Sequence, residues 1–316
     1  MTLKHFYIRS IKPIETEEPF DLIFNRPLGL LLVLILRPLP ISPNLITVFS
    51  MITGITSGYF FARGDHISAQ VGAVLLMLAN ILDCTDGQLA RIRGASSMLG
   101  KTLDGLCDVV TYLSIAFGVA YSMVQKTASL AWLWWLYAWG VMISGIIHIH
   151  FFDHFKNELI FYALPDYHEK LESTASLKAQ RRAIENSPGH KWQKFMLSVY
   201  IFFYTMEERV IRLAQPKNYR GYIPWFQMDA SVPYEIKESF KKNYRRYNRL
   251  LVLGWSLLGA TAHVSVFIIA GLFNRLDWVF WILCVPFTLW MFVLILLQRF
   301  TLKHQLRMAY QTLSTH

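Results

Sequence analysis

Six apolar segments, each about the length of a membrane-spanning helix, constrain the fold of this chain more than any other feature. They lie at residues 43–62, 68–88, 102–124, 130–151, 248–273 and 277–299. Because a helix of about 20 apolar residues spans the hydrocarbon core of a bilayer, each segment is long enough to cross once. The sequence therefore predicts an all-α polytopic membrane protein with six transmembrane helices.

Composition and charge agree with that fold class. Of the 316 residues, 54% are hydrophobic and 16% are charged, whereas about 25% of residues in soluble domains are charged. The net charge of +10 is, in a membrane protein, more typical of cytoplasmic loops and anionic lipid headgroups than of nucleic-acid binding. We therefore expect membrane lipids, and no nucleic acid, among the partners. The three cysteines are too few and too scattered for a disulfide framework or a zinc site.

The N-terminal region predicts a helix that lies in the membrane interface. Residues 20–38 are apolar but are interrupted by Asp21, Arg26 and Pro27, which favours an interfacial helix; a first membrane span is the alternative. Ser42 and Pro43 then provide an N-cap and a first turn for the first spanning helix.

Lysine and arginine residues predict the orientation of the chain. The short connections 63–67, 125–129 and 274–276 carry one basic residue each, and the basic residues are concentrated in the other connections and tails. Because Lys and Arg accumulate on the cytoplasmic side, we expect both termini to be cytoplasmic. The chain then divides into a cytoplasmic N-terminus with an interfacial helix (1–42), transmembrane helices 1–4 (43–151), a cytoplasmic insertion (152–247), and transmembrane helices 5–6 with a cytoplasmic tail (248–316).

The insertion is too long for a simple connection. Its middle, KWQKFMLSVYIFFYTMEERVIRLAQ, is an apolar run with charged ends. This pattern predicts an amphipathic helix packed on the cytoplasmic face rather than a seventh span. Chemistry alone assigns no role to Glu207 and Glu208 in this helix.

Four aspartates stand where the second and third spans are joined. Asp83 and Asp86 are three residues apart, and Asp104 and Asp108 are four apart, which are same-face spacings on a helix. Carboxylates that converge at one place repel each other unless cations neutralise them, and oxygen ligands favour hard divalent ions. The four aspartates therefore predict a site for two ions of Mg²⁺ or Mn²⁺.

Glycine and arginine residues complete this pattern. Gly87 follows Asp83 by four residues and Gly100 precedes Asp104 by four. A missing side chain beside a metal cluster leaves room for a diphosphate to approach the backbone. Arg91 adds a cation one turn after Gly87.

The pattern D-x2-D-G-x2-A-R-x8-G-x3-D-x3-D resembles the signature of the CDP-alcohol phosphotransferase family, also called the CDP-alcohol phosphatidyltransferase family. The matching positions are Asp83, Asp86, Gly87, Ala90, Arg91, Gly100, Asp104 and Asp108. The resemblance implies an enzyme of phospholipid synthesis that transfers a phospho-alcohol group from a CDP-alcohol to an acceptor hydroxyl and releases CMP. It also implies a cytoplasmic site, because CDP-activated precursors are made there.

The resemblance further implies roles for individual residues. Asp108 would act as the general base, in addition to binding metal, and the nucleotide would contact Gly87, Ala90, Arg91 and Gly100. The long central insertion is similar to that of a subset of bacterial members, so we expect the bacterial inner membrane as the location. We also expect a homodimer.

Arg245, Arg246 and Arg249 precede the fifth span and form a candidate acceptor site. Arginine binds phosphate through two parallel hydrogen bonds, which favours a phosphorylated acceptor; the alternative is ordinary cytoplasmic charge bias. Together with the similarity of the insertion to that of the bacterial members, these arginines favour CDP-diacylglycerol as the donor and a polyol phosphate, such as inositol phosphate, as the acceptor. A CDP-choline or CDP-ethanolamine enzyme acting on a lipid alcohol is the alternative.

Two further interpretations concern other residues and other functions. His148, His150 and His154 cluster near the end of the fourth span, where a metal site is conceivable but interfacial histidines without a metal are common. Intramembrane acidic residues are also compatible with a cation transporter, although ion conduction requires neither the glycines nor Arg91. A catalytically inactive scaffold is a further alternative. Such a protein normally lacks one of the aspartates, whereas all four are present here.

Overall fold

The computed structural model of the chain describes residues 3–95, 98–164, 178–179, 181–182, 191–211 and 234–314. Within these ranges every regular element is helical, so the predicted all-α fold class is confirmed. The helices are α1 Leu3–Ser10, α2 Arg26–Leu36, α3 Pro43–Arg63, α4 His66–Arg93, α5 Met98–Lys126, α6 Ala131–Ala163, α7 Lys191–Ile211, α8 Tyr234–Ser256, α9 Ala260–Leu272, α10 Asp277–Cys284 and α11 Pro286–Ser314. Short helical turns lie at Ile14–Thr16, Asp21–Asn25 and Ala128–Leu130.

Among the described residues, six helical stretches are long and apolar enough to cross a membrane, in agreement with the six predicted spans. They are Pro43–Arg63, His66–Arg93, Gly100–Lys126, Ala128–Ala163, Glu238–Leu272 and Asp277–Gln305. The fifth and sixth spans are each built from two helices. The sixth is interrupted just before Pro286. Proline has no backbone N–H, so it cannot donate the hydrogen bond that a continuous helix would require at this position. The protein is therefore an integral membrane protein.

The N-terminal helical segment ends close to its predicted boundary. The π-helical turn Asp21–Asn25 runs into α2, which ends at Leu36 before Pro38. This segment is not one of the six spans, and its placement in the membrane interface stays a prediction. Ser42 caps α3 as predicted, because its hydroxyl accepts a hydrogen bond from the Leu45 N–H at 3.3 Å.

The chain forms two compact units, Met1–His148 with Leu258–Thr288 and Ile149–Leu257 with Leu289–His316. In the first unit α3 packs on both α4 and α5, and α2 and α9 pack on α4. A Cβ atom added to Gly118 would lie 2.2 Å from the Gly58 carbonyl oxygen. The glycines therefore allow α3 and α5 to approach backbone to backbone, as small residues commonly do between membrane helices.

The second unit contains the end of α6 together with α7, α8 and α11 from Leu289 onward. Trp255 on α8 stacks on Phe151 and Phe155 of α6, and its indole N–H donates to Gln298 of α11 at 3.2 Å. The amphipathic helix predicted within the insertion is present as α7, whose packing on the cytoplasmic face stays a prediction. The side chains of Glu207 and Glu208, and residues 165–177, 183–190 and 212–233 of the insertion, lie outside the described residues.

Candidate metal centre

Helices α4 and α5 position the four aspartates. Asp83 and Asp86 lie within α4, which continues as far as Arg93, well past the apolar segment that predicted it. Asp104 and Asp108 lie in the first turns of α5. The first pair therefore lies inside a continuous helix rather than at a helix end.

The structure brings three of the four carboxylates together. Asp83, Asp104 and Asp108 each offer one carboxylate oxygen, and these oxygens all lie within 4.8 Å of one another. Asp83 and Asp104 are half-buried, and Asp108 is exposed. No other group of three or more possible ligand side chains among the described residues lies this close together.

This arrangement fits a divalent cation. The Oδ1 atom of Asp104 is buried and has no hydrogen-bond partner among the described residues. Like charges at this separation repel, and a buried carboxylate oxygen without a donor is costly. Mg²⁺ and Mn²⁺ prefer oxygen ligands, so a hard divalent ion of this kind would offset both the negative charge and the unsatisfied oxygen.

Asp86 is held separately, by the first spanning helix. Its carboxylate accepts a hydrogen bond from the Thr47 hydroxyl of α3, and both residues are buried. Asp86 is therefore not one of the three residues whose carboxylate oxygens converge, and its role as a metal ligand stays a prediction. The sequence analysis gave Thr47 no role, because this contact depends on which face of α3 packs on α4.

The predicted nucleotide-contacting residues lie along the same two helices. A Cβ atom at Gly87 would lie 3.4 Å from the Arg91 guanidinium, so the glycine leaves space next to this cation. The Arg91 Nε–H donates to the Ser10 carbonyl at 2.6 Å, which links α4 to the end of α1. Ala90 and Gly100 are half-buried on α4 and α5, and contact of these residues with a nucleotide stays a prediction.

Charged residues of the N-terminal segment contact α4 at Cys84, the residue after Asp83. The sequence analysis noted Asp21 and Arg26 only as interruptions of an apolar run. Arg26 forms an ion pair with Glu17 at 3.0 Å, and Asp21 accepts a hydrogen bond from the Cys84 thiol. Burial alone would raise the pKa of Glu17, but the Arg26 charge and the Lys12 N–H outweigh it and hold the pKa below its usual range. Burial raises the pKa of Asp21.

The other candidate residues are distributed over both units. Arg245, Arg246 and Arg249 are exposed on α8 of the second unit, and their role in acceptor binding stays a prediction. In the first unit His148 Nδ1 lies 3.2 Å from Nε2 of His263, and both rings are fully buried. In the second unit His154 pairs with Glu158 at 3.2 Å and His150 is half-buried.

The fold and the site together define a polytopic membrane protein with a carboxylate cluster suited to divalent cations. The chain belongs to the CDP-alcohol phosphatidyltransferase family, whose model matches residues 40–232. The family resemblance predicted from the aspartate pattern is therefore confirmed.

Several curated proteins are similar to part of the chain. The CDP-diacylglycerol–serine O-phosphatidyltransferase of Mycobacterium leprae is 35% identical over 95 residues, which are 30% of this chain and 31% of that protein. The enzyme of the same name from Helicobacter pylori is 35% identical over 89 residues, 28% of this chain and 34% of that protein. The archaetidylinositol phosphate synthase of Pyrococcus horikoshii is 34% identical over 85 residues, 27% of this chain and 44% of that protein. The chain thus spans less than half the length of the curated relatives it matches.

Proposed function

We propose that this protein is a membrane transferase that moves a phosphatidyl group from CDP-diacylglycerol to the hydroxyl of a small polar acceptor and releases CMP. The observation that carries this proposal is the convergence of Asp83, Asp104 and Asp108 within a sequence pattern that matches the family at every signature position. The reaction would be a step of phospholipid synthesis.

The activities for which the relatives are named support CDP-diacylglycerol as the donor. Two of the three relatives described above are named for transfer from CDP-diacylglycerol to serine, and the third for synthesis of an inositol phosphate lipid. The exposed arginines of α8 favour an acceptor that carries phosphate, such as inositol phosphate. Serine is the competing acceptor, because it appears in the names of the first two relatives.

In the proposed mechanism, most of the aspartates serve to bind divalent cations. Asp83, Asp104 and Asp108 would hold the divalent ions, with Asp86 oriented by Thr47 as a further ligand. Bound ions of this kind neutralise charge on a diphosphate and on its leaving group. Gly87 leaves the surface of α4 open to the nucleotide beside Arg91.

Asp108 is the residue best placed for proton transfer, because it is the exposed member of the cluster. Its carboxylate would accept the proton of the acceptor hydroxyl. The hydroxyl oxygen would then form a bond to the lipid-bearing phosphorus while the bond from that phosphorus to CMP breaks. A carboxylate close to cations is a weak base, so this step depends on how well the acceptor hydroxyl is positioned against Asp108.

The proposed location of the site is the cytoplasmic face of the bacterial inner membrane. The uneven distribution of lysine and arginine along the sequence supports the orientation. The homodimer implied by the family resemblance stays a prediction.

A screen for CMP release tests the proposed function. Purified protein in lipid nanodiscs with Mg²⁺ would receive CDP-diacylglycerol with serine, inositol, inositol phosphate or glycerol phosphate, and CDP-choline or CDP-ethanolamine with diacylglycerol. We expect CMP only with CDP-diacylglycerol and one polar acceptor, and none with an Asp104→Asn variant. CMP release only with a lipid alcohol would establish the alternative donor class, and release with no pair would contradict the proposal.

A further inference from the structure

Cys84, the residue after Asp83, is held at both its thiol and its carbonyl group by the N-terminal segment. The Sγ atom of Cys84 donates to Asp21 Oδ1 at 3.7 Å. The Cys84 carbonyl oxygen accepts a hydrogen bond from Nη1 of Arg26 at 3.3 Å. Both contacts join segments about sixty positions apart in the chain.

We propose that residues 10–29, here called the N-terminal brace, hold the Asp83 turn of α4 in its ligand-binding position, with Arg26 as the principal positioning residue. The brace lies outside residues 40–232, the part of the chain that the family model matches. The inference deepens the proposed function, on which it rests for the use of Asp83 as a metal ligand.

Glu17 fixes the geometry of Arg26. Its Oε2 atom accepts from both Nε and Nη2 of Arg26, at 3.2 and 3.0 Å. Its Oε1 atom accepts from the Lys12 backbone N–H at 2.9 Å. The side chains of Arg26 and Glu17 are 13% and 4% exposed, so solvent screens this pair little. These contacts restrict the Arg26 guanidinium to a narrow range of positions next to the Cys84 carbonyl.

Gln88 makes the reverse contact, from α4 back to the brace. Its Nε2 atom donates to the Arg26 carbonyl at 3.2 Å and to the Ser10 hydroxyl at 3.1 Å. A Cβ atom at Gly29 would lie 2.5 Å from Gln88 Oε1, so the glycine permits this close approach. Side chains from each segment thus bind the backbone of the other.

The brace is itself anchored to α9. Glu18 accepts hydrogen bonds from the backbone N–H groups of Thr261 and Ala262, at 3.3 and 2.9 Å. The Thr261 hydroxyl donates to Asp21 Oδ2 at 3.0 Å. A segment tied to both α4 and α9 cannot shift without breaking several buried hydrogen bonds, so it can resist movement of Asp83 when charge at the cluster changes.

Neutralising Arg26 or Glu17 tests the brace. The variants are Arg26→Gln, Glu17→Gln and the double variant, and the control is Arg275→Gln, which removes an exposed Arg–Asp pair of similar geometry (3.0 and 2.8 Å to Asp277) elsewhere in the first unit. Three quantities are measured in nanodiscs without substrate: the alkylation rate of Cys84 by peptide mass spectrometry, the affinity for Mn²⁺ by calorimetry, and the melting temperature.

We expect Arg26→Gln to lower the Mn²⁺ affinity by about 10–100-fold, the usual effect of losing a residue that orients a metal ligand. The alkylation of buried Cys84 should accelerate in the same variant. Glu17→Gln should change both quantities in the same direction by less. The double variant should match Arg26→Gln, because Glu17 acts through Arg26, and Arg275→Gln should match the unsubstituted protein.

Unchanged Mn²⁺ affinity and unchanged Cys84 protection in folded Arg26→Gln would overturn the proposal. If Arg26→Gln does not fold, the Mn²⁺ affinity and the Cys84 alkylation rate of Glu17→Gln test the proposal instead. A lower melting temperature with normal Mn²⁺ affinity would show a structural role only and would also overturn it. If the unsubstituted protein binds no Mn²⁺, the proposed function fails instead, and Cys84 alkylation alone decides on the brace.

Discussion

Thr47 of the first spanning helix donates a hydrogen bond to the carboxylate of Asp86 on the second. The two residues are 39 positions apart, and both are buried. The Thr47 hydroxyl is a neutral donor, so it orients the carboxylate without cancelling its negative charge. That charge stays available to a cation, as is common where a neighbouring residue orients a metal ligand.

Replacing Thr47 by valine keeps the side-chain shape and removes the hydroxyl. We expect Thr47→Val to lower the affinity for Mn²⁺ by about tenfold or more, because Asp86 would lose its orienting partner. Thr53→Val is the matched control, since the Thr53 hydroxyl bonds only to the Phe49 carbonyl of its own helix among the contacts seen. Calorimetric titration of both variants measures the difference, and equal affinities would argue against a role for Thr47 in the site.

Asp108 and Asp83 should respond differently to substitution. Asp108→Asn keeps the shape and one oxygen but loses the base, so turnover should fall about 10²–10⁴-fold while CDP-alcohol still binds in the presence of metal. Asp83→Ala removes a ligand, so nucleotide binding itself should weaken. Titration with CDP beside a rate measurement separates the two effects. If Asp108→Asn abolishes CDP binding as fully as Asp83→Ala does, Asp108 acts primarily as a metal ligand and another group is the base.

The membrane orientation can be tested by thiol labelling at exposed positions of the first unit. The variants Arg9→Cys, His66→Cys and Gln125→Cys would each be treated with a membrane-impermeant reagent in intact cells. We expect labelling of His66→Cys and Gln125→Cys only, because the lysine and arginine distribution places the N-terminus in the cytoplasm. The unsubstituted protein controls for its own thiols, of which Cys84 and Cys107 are buried. Labelling of Arg9→Cys from outside would reverse the proposed orientation.

Glu18 should contribute to stability by capping α9. Its carboxylate accepts from two backbone N–H groups at the start of that helix, where a negative charge is favourable. We expect Glu18→Gln to reduce the free energy of unfolding by about 1 kcal/mol, the usual value of a helix cap. Glu235→Gln, an exposed carboxylate in the first turn of α8, should change it by a few tenths at most. A midpoint of thermal unfolding unaffected by Glu18→Gln would contradict this assignment.

The lengths of the apolar segments predict the spans well, because the thickness of the bilayer determines how long a spanning helix must be. They do not predict where each helix ends: α4 continues to Arg93 and α6 to Ala163, beyond the apolar residues, since a helix leaving the membrane can remain helical. The division of the fifth span after Ser256 was also missed. There the N-terminus of α9 is capped by Glu18, a residue 243 positions away from Thr261, which no local pattern reveals.

In the site, too, local spacing is predictable from the sequence and contacts between distant helices are not. The meeting of Asp83 with Asp104 and Asp108 follows from same-face spacing on two helices joined by a short connection. The contacts of Thr47 and Arg26 depend on which faces of distant helices pack together. Asp21 and Arg26 stand out in the sequence as charges within an apolar run, but their spacing alone identifies no partner.

The central claim is that the carboxylate cluster holds divalent ions on which transfer depends. The most direct measurement is CMP release from CDP-diacylglycerol by unsubstituted protein and by Asp104→Asn, with Mg²⁺, with excess chelator, and after Mg²⁺ is restored. We predict release that stops with chelator and returns with Mg²⁺ in the unsubstituted protein, and no release by Asp104→Asn in any condition. Full CMP release in excess chelator, or by Asp104→Asn with Mg²⁺, would contradict the claim.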